Sequence, residues 1–142
     1  MPTKVYYSTR TGNTKLIADA IADALNCSSE NIKNAKIPDN ADDVYFGAAV
    51  YADYQHKHRP EVRDFIHELK EKGVKNVKVF DTYAFGSSIN LLIQLFNDEG
   101  IAVSDEHFSC KGRFAIFNRN RPHAQDIEAA KVFAMTSSGK GK

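Results

Sequence analysis

The chain has no tryptophan and only two cysteines, two methionines and four prolines in 142 residues. Cys27 and Cys110 form neither a disulfide framework nor a metal or redox pattern, so they read as free thiols in a reducing cytoplasm. No apolar run approaches the roughly 20 residues of a membrane span. A strand is already under way at Lys4, which leaves a signal peptide no room. Neither sign of charge dominates: Lys and Arg total 19, Asp and Glu 18, for a net charge of +1. No nucleic-acid partner is expected. A GxGxxG turn and a GxxxxGK(S/T) loop are both missing, which argues against a dinucleotide and against a triphosphate held with Mg²⁺. His56 and His58 lie two apart on a polar stretch with only Asp53 as a nearby carboxylate, which is no metal pattern. His67, His107 and His123 read as surface residues, and no nucleophile–base pair can be assembled. The expectation is no catalytic side chain and no metal, so intrinsic chemistry would have to come from a bound cofactor.

What the chain does have is concentrated near its start. Lys4-Val5-Tyr6-Tyr7 is a β-branched and aromatic run that reads as a strand. From Leu16 the apolar residues Leu16, Ile17, Ala20, Ile21, Ala24 and Leu25 fall on one face of a helix ending near Asn26. Between them lie Ser8, Thr9, Arg10, Thr11, Gly12, Asn13 and Thr14: four hydroxyls, one amide, one guanidinium and one residue without a side chain. A strand-to-helix turn gathers unpaired N–H groups at the positive end of a helix, which makes an anion site. Gly12 lets the main chain approach closely, and hydroxyls donate without adding charge. The donor set suits a monophosphate.

Further along, Glu30 to Ile37 has room for a short second strand, and Pro38 to Asp43 is a turn cluster too short for a helix. Val44 to Tyr51 is a continuous apolar run, as in a parallel strand buried on both faces. Within it, Gly47 and two alanines imply close packing. A polar stretch runs to Arg59, and Pro60 stands at a plausible first helical position for a helix (Val62, Phe65, Ile66 and Leu69 inward) stopping at Gly73. Val74 to Thr82 reads as a strand, Ile89 to Phe96 as a helix with Leu92, Ile93 and Phe96 inward, and Gly100 closes it. The last strand is ambiguous between Ile101–Cys110 and Phe114–Phe117, or both. Asp126 to Met135 is the final helix, and residues 136–142 read as a disordered tail beyond a single domain of residues 1–135. Strands alternating with helices imply a parallel α/β sheet covered on both faces.

The segment Ser8-Thr9-Arg10-Thr11-Gly12-Asn13-Thr14 resembles the (S/T)-x-T-G-N-T loop with which the flavodoxin family wraps the phosphate of FMN, directly after the first strand. That resemblance implies a three-layer α/β/α sandwich with a five-stranded parallel sheet in the order 2-1-3-4-5, here with the helix between strands 2 and 3 reduced to a turn. The ligand then sits at the carboxyl ends of the strands, where three loops meet. Phe46 to Asp53 is similar to the family segment that ends strand 3 and reaches the flavin ring, which implies that Val50, Tyr51, Ala52, Asp53 and Tyr54 line the site, with Tyr51 over the inner face of the ring. Phe80 to Gly86 is similar to the family's G-S-Y-G-W-G loop, so Tyr83, Ala84, Phe85, Gly86 and Ser87 complete it. Phe85 takes the place of the outer stacking Trp, with Tyr54 a competing candidate for stacking. Aromatic stacking on the ring contributes about 1 kcal/mol beyond burial.

Two departures stand out. Ala52 occupies a position that is Gly in many short flavodoxins, where the peptide flips on one-electron reduction. Ala resists the φ > 0 turn that this needs, so the one-electron-reduced flavin is expected to be less stabilised. Flavodoxins are also usually acidic, whereas Arg10, His56, Lys57, His58 and Arg59 lie in or beside the implied site, joined by Lys111, Arg113, Arg119 and Arg121 if the last loop returns to the same edge. The implied function is an FMN-binding, monomeric electron carrier working between a reductase and acceptor enzymes as redox partners. The alternative is an FMN-dependent oxidoreductase of quinone or porphyrinogen type acting on an anionic small molecule. A response-regulator-like module would need an acidic cluster after the first strand, where Ser8-Thr9-Arg10 stands. A flavin-free interaction domain would keep the fold and lose the cofactor.

Overall fold

A computed structural model describes residues 3–9, 12–41, 43–48, 55–83, 89–112 and 122–137, with the backbone alone for 55–59. The strands are β1 (Lys4–Ser8), β2 (Ser29–Asn31), β3 (Val44–Ala48), β4 (Asn76–Tyr83), β5 (Ala102–Val103) and β6 (Phe108–Lys111). The helices are α1 (Asn13–Ala24), α2 (Gln55–Glu71), α3 (Ile89–Asp98) and α4 (Ala124–Ser137). All strand pairs are parallel, in the order β2-β1-β3-β4-β5, with β6 also on β4.

Alternate residues of the central strands feed two cores. Tyr6, Phe46, Val77 and Val79 face α2 and α3 with Phe65, Ile66, Leu92 and Phe96. Val5, Tyr7, Tyr45 and Phe80 face α1 and α4 with Ile17, Ile21, Phe133 and Ala134. This is the both-sides-covered parallel sheet that a continuous apolar strand requires. Edge-to-face rings knit each layer: Tyr6 on Phe65 at 5.0 Å, Phe46 on Phe96 at 5.3 Å, and Tyr45 on Phe133 at 5.8 Å. The two tyrosines also anchor their hydroxyls, Tyr6 donating to the Lys36 carbonyl at 3.0 Å and Tyr45 meeting Ser137 Oγ at 2.8 Å. Burial, with Glu30 and Glu68 nearby, holds the Tyr6 phenol above its ordinary range. Gly47 pairs with Phe80 across the β3–β4 register, and the Phe80 ring fills the space that any side chain at 47 would take. That is the close packing the small residues imply.

The fifth sheet position is filled by two short strands in succession. β5 pairs with Asn76–Val77 and β6 with Phe80–Tyr83, separated by Ser104 to His107. The Ile101–Cys110 reading of the last strand therefore holds in interrupted form, and Phe114–Phe117 lies outside the described residues. The short second strand ends at Asn31, and no helix stands among the described residues between β2 and β3.

Three expectations are corrected. α2 begins at Gln55, so Pro60 is the sixth helical residue rather than the first. Gln55 to Arg59 contains neither Gly nor a β-branched residue to break a helix, and Pro60 forgoes one main-chain bond there. Leu16, expected inward, is 49% exposed, because the buried stripe of α1 is centred on Thr14, Ile17, Ala18 and Ile21. α4 runs from Ala124 to Ser137, two residues into the segment read as a tail. His67 lies exposed on α2, as expected, and His123 is half-buried. His67 Nδ1 contacts Glu99 Oε1 at 3.0 Å and its Nε2 lies 3.6 Å from Glu71, tying α2 to α3. Those carboxylates, Glu99 foremost, raise its pKa above the ordinary 6.5. The His123 main-chain N–H donates to Asp126 Oδ2 at 2.9 Å, closing the amino end of α4.

Candidate functional site

Because every strand runs the same way, the carboxyl ends of β1, β3, β4 and β6 share one edge of the sheet. Ser8 is in register with Ala48, Ala48 with Asp81, and Tyr83 with Lys111. The amino ends of the helices that follow return to this edge, so residues 9–12, 49–54, 84–88 and 112–123 all connect there. Lys111 thus stands at the same edge as the first loop, the condition for the basic residues near it to join that loop.

The described part of the first loop is built as follows. Gly12 is the N-cap of α1, with φ 92° and ψ −5°, a left-handed conformation that L-residues avoid. Among the described residues a Cβ on Gly12 would meet nothing within 4 Å, so glycine is needed there for its backbone conformation. The Gly12 N–H donates to Thr9 Oγ1 at 3.0 Å, and its carbonyl accepts the first helical bond from Leu16 at 3.1 Å. The first turn of α1 contains no acidic residue, so nothing in it offsets the positive helix end. Ser8 is buried and Thr9 half-buried at the mouth of the turn.

Asn13 and Thr14 point inward rather than over the turn. Thr14 is fully buried and its Oγ1 lies 2.8 Å from Thr82 Oγ1 at the end of β4, a bond between residues 68 positions apart. Asn13 is 5% exposed and packs on Gly112, where a Cβ would come within 2.7 Å of its Nδ2. Gly112 in turn donates to the Tyr83 carbonyl at 2.7 Å, extending the β4–β6 ladder by one rung. Asp81, which precedes Thr82 on β4, is fully buried. Sequence reasoning passes over Thr82 and Gly112, although a hydroxyl closing an apolar strand and a glycine after one were visible signals.

The structure therefore brings together Ser8, Thr9, Gly12, Asn13, Thr14 and Tyr83 at one edge. Arg10, Thr11, Val50, Tyr51, Ala52, Asp53 and Tyr54 lie outside the described residues, as do Ala84, Phe85, Gly86 and Ser87. A left-handed turn, a helix start without acidic side chains and neutral hydroxyls match a phosphate monoester in donor chemistry. Neither cysteine is in a disulfide; Cys27 is half-buried and Cys110 buried. Among the described residues no group of three His, Cys, Asp or Glu could hold a metal ion, and no helix is long and apolar enough to cross a membrane.

Residues 4–83 match the family model described as Flavodoxin domain. An uncharacterised protein of Methanocaldococcus jannaschii is 31% identical over 144 residues, covering 92% of this chain and 93% of its own. Among solved structures, a flavodoxin from the domain Archaea superposes with a TM-score of 0.70 at 15% identity, covering 99% of this chain and 98% of that one. A Streptococcus pneumoniae flavodoxin superposes with a TM-score of 0.68 at 21% identity, covering 97% and 98%. These two similarities speak to the fold: a sheet and helices arranged as in those proteins.

Proposed function

From the premise that this chain belongs to the flavodoxin family, whose members carry a flavin that is generally FMN, we propose that it binds FMN and carries electrons between a reductase and acceptor proteins. The observation that carries the reading is the Gly12 turn: left-handed, with no described atom within reach of a Cβ there, and set at the start of a helix whose first turn carries no acidic residue. In this reading the turn and Thr9 hold the phosphate by neutral donors, and Tyr51 and Phe85 cover the ring and exclude water. Bound FMN supplies the redox chemistry, accepting electrons one or two at a time. The test is stepwise anaerobic reduction of the FMN-loaded protein, followed by absorption. A long-wavelength one-electron form accumulating partway is expected for the carrier. Bleaching in a single two-electron step would replace it with the oxidoreductase reading, and no saturable FMN binding would remove both.

The kind of partner is supported by where the charge lies. Residues 10–11, 49–59, 84–88 and 111–121 hold seven of the 19 Lys and Arg but one of the 18 Asp and Glu. The remainder of the chain carries twelve basic against seventeen acidic residues. In this reading a near-neutral total conceals a cationic edge on an acidic body, which would steer toward a redox protein with an acidic docking face. For the reduced, FMN-loaded protein, oxidation by ferricyanide is expected to slow as salt rises and oxidation by hexaammineruthenium(III) to quicken. The opposite pair of slopes would place an acidic surface around the flavin and reject this partner.

A further inference from the structure

We propose that Thr82 is a positioning residue for phosphate recognition, acting through Thr14 to hold the amino end of α1 in register with the carboxyl edge of the sheet. The inference rests on the FMN reading of the same turn and adds a residue outside the loop that would touch the ligand.

Thr14 is the second residue of α1, one step past the Gly12–Asn13 junction, and within the first turn whose N–H groups have no intrahelical acceptor. Its hydroxyl meets Thr82 Oγ1 at 2.8 Å with both side chains fully buried. A hydroxyl–hydroxyl bond there is directional and shielded from water, so it fixes both the rotation of α1 about its axis and its height above β4. Packing by methyl groups alone would tolerate small slips in both. The same contact is buttressed from the side, where Asn13 lies against the main chain of Gly112, the residue that follows β6. Consequently the helix end is located by β4 and β6 as well as by the strand that leads into it. Donors that converge on a phosphate must be set before the ligand arrives if affinity is not to be lost in ordering them.

On the FMN reading the ligand divides into two parts. The phosphate depends on the position of the α1 end, whereas the ring depends on other loops. A perturbation at Thr82 should therefore weaken FMN and spare riboflavin, which has the same ring and no phosphate. A loss of general stability would weaken both.

The experiment compares FMN and riboflavin affinities by flavin fluorescence quenching for wild type, Thr82→Val, Thr82→Ser and the double variant Thr14→Val/Thr82→Val. Thr82→Val keeps the β-branched shape and leaves the buried Thr14 hydroxyl without its partner. FMN affinity is expected to fall about tenfold with riboflavin unchanged. Thr82→Ser restores the hydroxyl and should restore FMN affinity. The double variant removes both polar groups, so it should recover stability yet bind FMN as weakly as the single one. A flavin-free arm titrates the proteins with inorganic phosphate and follows the Gly12 to Lys15 amide resonances, which should shift in wild type and shift at higher phosphate in Thr82→Val. Equal weakening of FMN and riboflavin, or unchanged FMN affinity in Thr82→Val, would overturn the proposal. Wild type that takes up phosphate in the same amides but binds no flavin would overturn the FMN reading and leave the Thr82 comparison to the phosphate arm.

Discussion

The two edges of the one sheet use their polar groups in opposite ways. At the amino edge they are tied to each other. Asp43 accepts from Thr3 Oγ1 at 2.6 Å and from Lys78 Nζ at 3.3 Å, and its carbonyl accepts from the Lys4 N–H at 2.9 Å. Lys4 pairs with Glu30 at 2.6 Å, and Lys78 also lies 5.1 Å over the Tyr45 ring. At the carboxyl edge the described groups nearest the glycine turn, Ser8, Thr9, Thr14, Thr82 and Tyr83, are uncharged, and the charged residues of the same strand ends are Asp81 and Lys111. Charge at an edge closes it when each ion faces a counter-ion, whereas neutral donors leave room for an anion from outside. Stability and recognition are thus assigned to opposite ends of the same strands.

Substitutions at each end should separate the two roles. The largest effect is expected for Gly12→Val, which forces a β-branched residue to φ 92°. Strain of about 2 kcal/mol should appear in denaturant unfolding, and FMN affinity should fall by about tenfold or more as the turn relaxes. A Gly12→Val protein that binds FMN normally would dissolve the distinction between the edges. Next comes Asp43→Ala at the amino edge, which strands the Thr3 hydroxyl and the Lys78 ammonium. It should reduce unfolding free energy by about 1 kcal/mol, with FMN affinity unchanged.

The smallest effect belongs to neither edge. His67 is exposed and its pKa is raised by Glu99 and Glu71, so its protonated form is the one favoured by folding. The sign follows: the α2–α3 link is fully present below the ordinary 6.5 and is lost as pH rises through the raised folded value. Glu99→Gln should bring the His67 titration, read by NMR, back toward 6.5 and flatten the pH dependence of stability in that window. An unmoved titration would assign the shift to Glu71 instead.

The strand–turn–helix at the start was legible because its determinants are local. A β-branched run, a glycine and an apolar stripe lie within one stretch of sequence, and β1, Gly12 and α1 stand where they imply. The order of the sheet followed from alternation of element types and the family resemblance. What escaped was set by tertiary contact. The bond between Thr14 and Thr82 has no sequence signal, since nothing near either residue names a partner so far along the chain. The split of the fifth strand was hidden because an edge strand has one neighbour, and Ser104 to His107 reads equally as strand end or loop. The start of α2 was misplaced because Pro60 is a strong local stop that the surrounding fold overrides.

The fit of Phe80 over Gly47 has a consequence for how such a chain can change over time. The ring occupies the volume that a side chain at 47 would need, so the two positions form a single unit of volume shared between β3 and β4. A descendant that gains a methyl group at 47 must shrink at 80 in the same step or soon after. Sequences descended from a common ancestor should therefore covary at this pair, recording in their alphabet a contact that neither residue reveals alone.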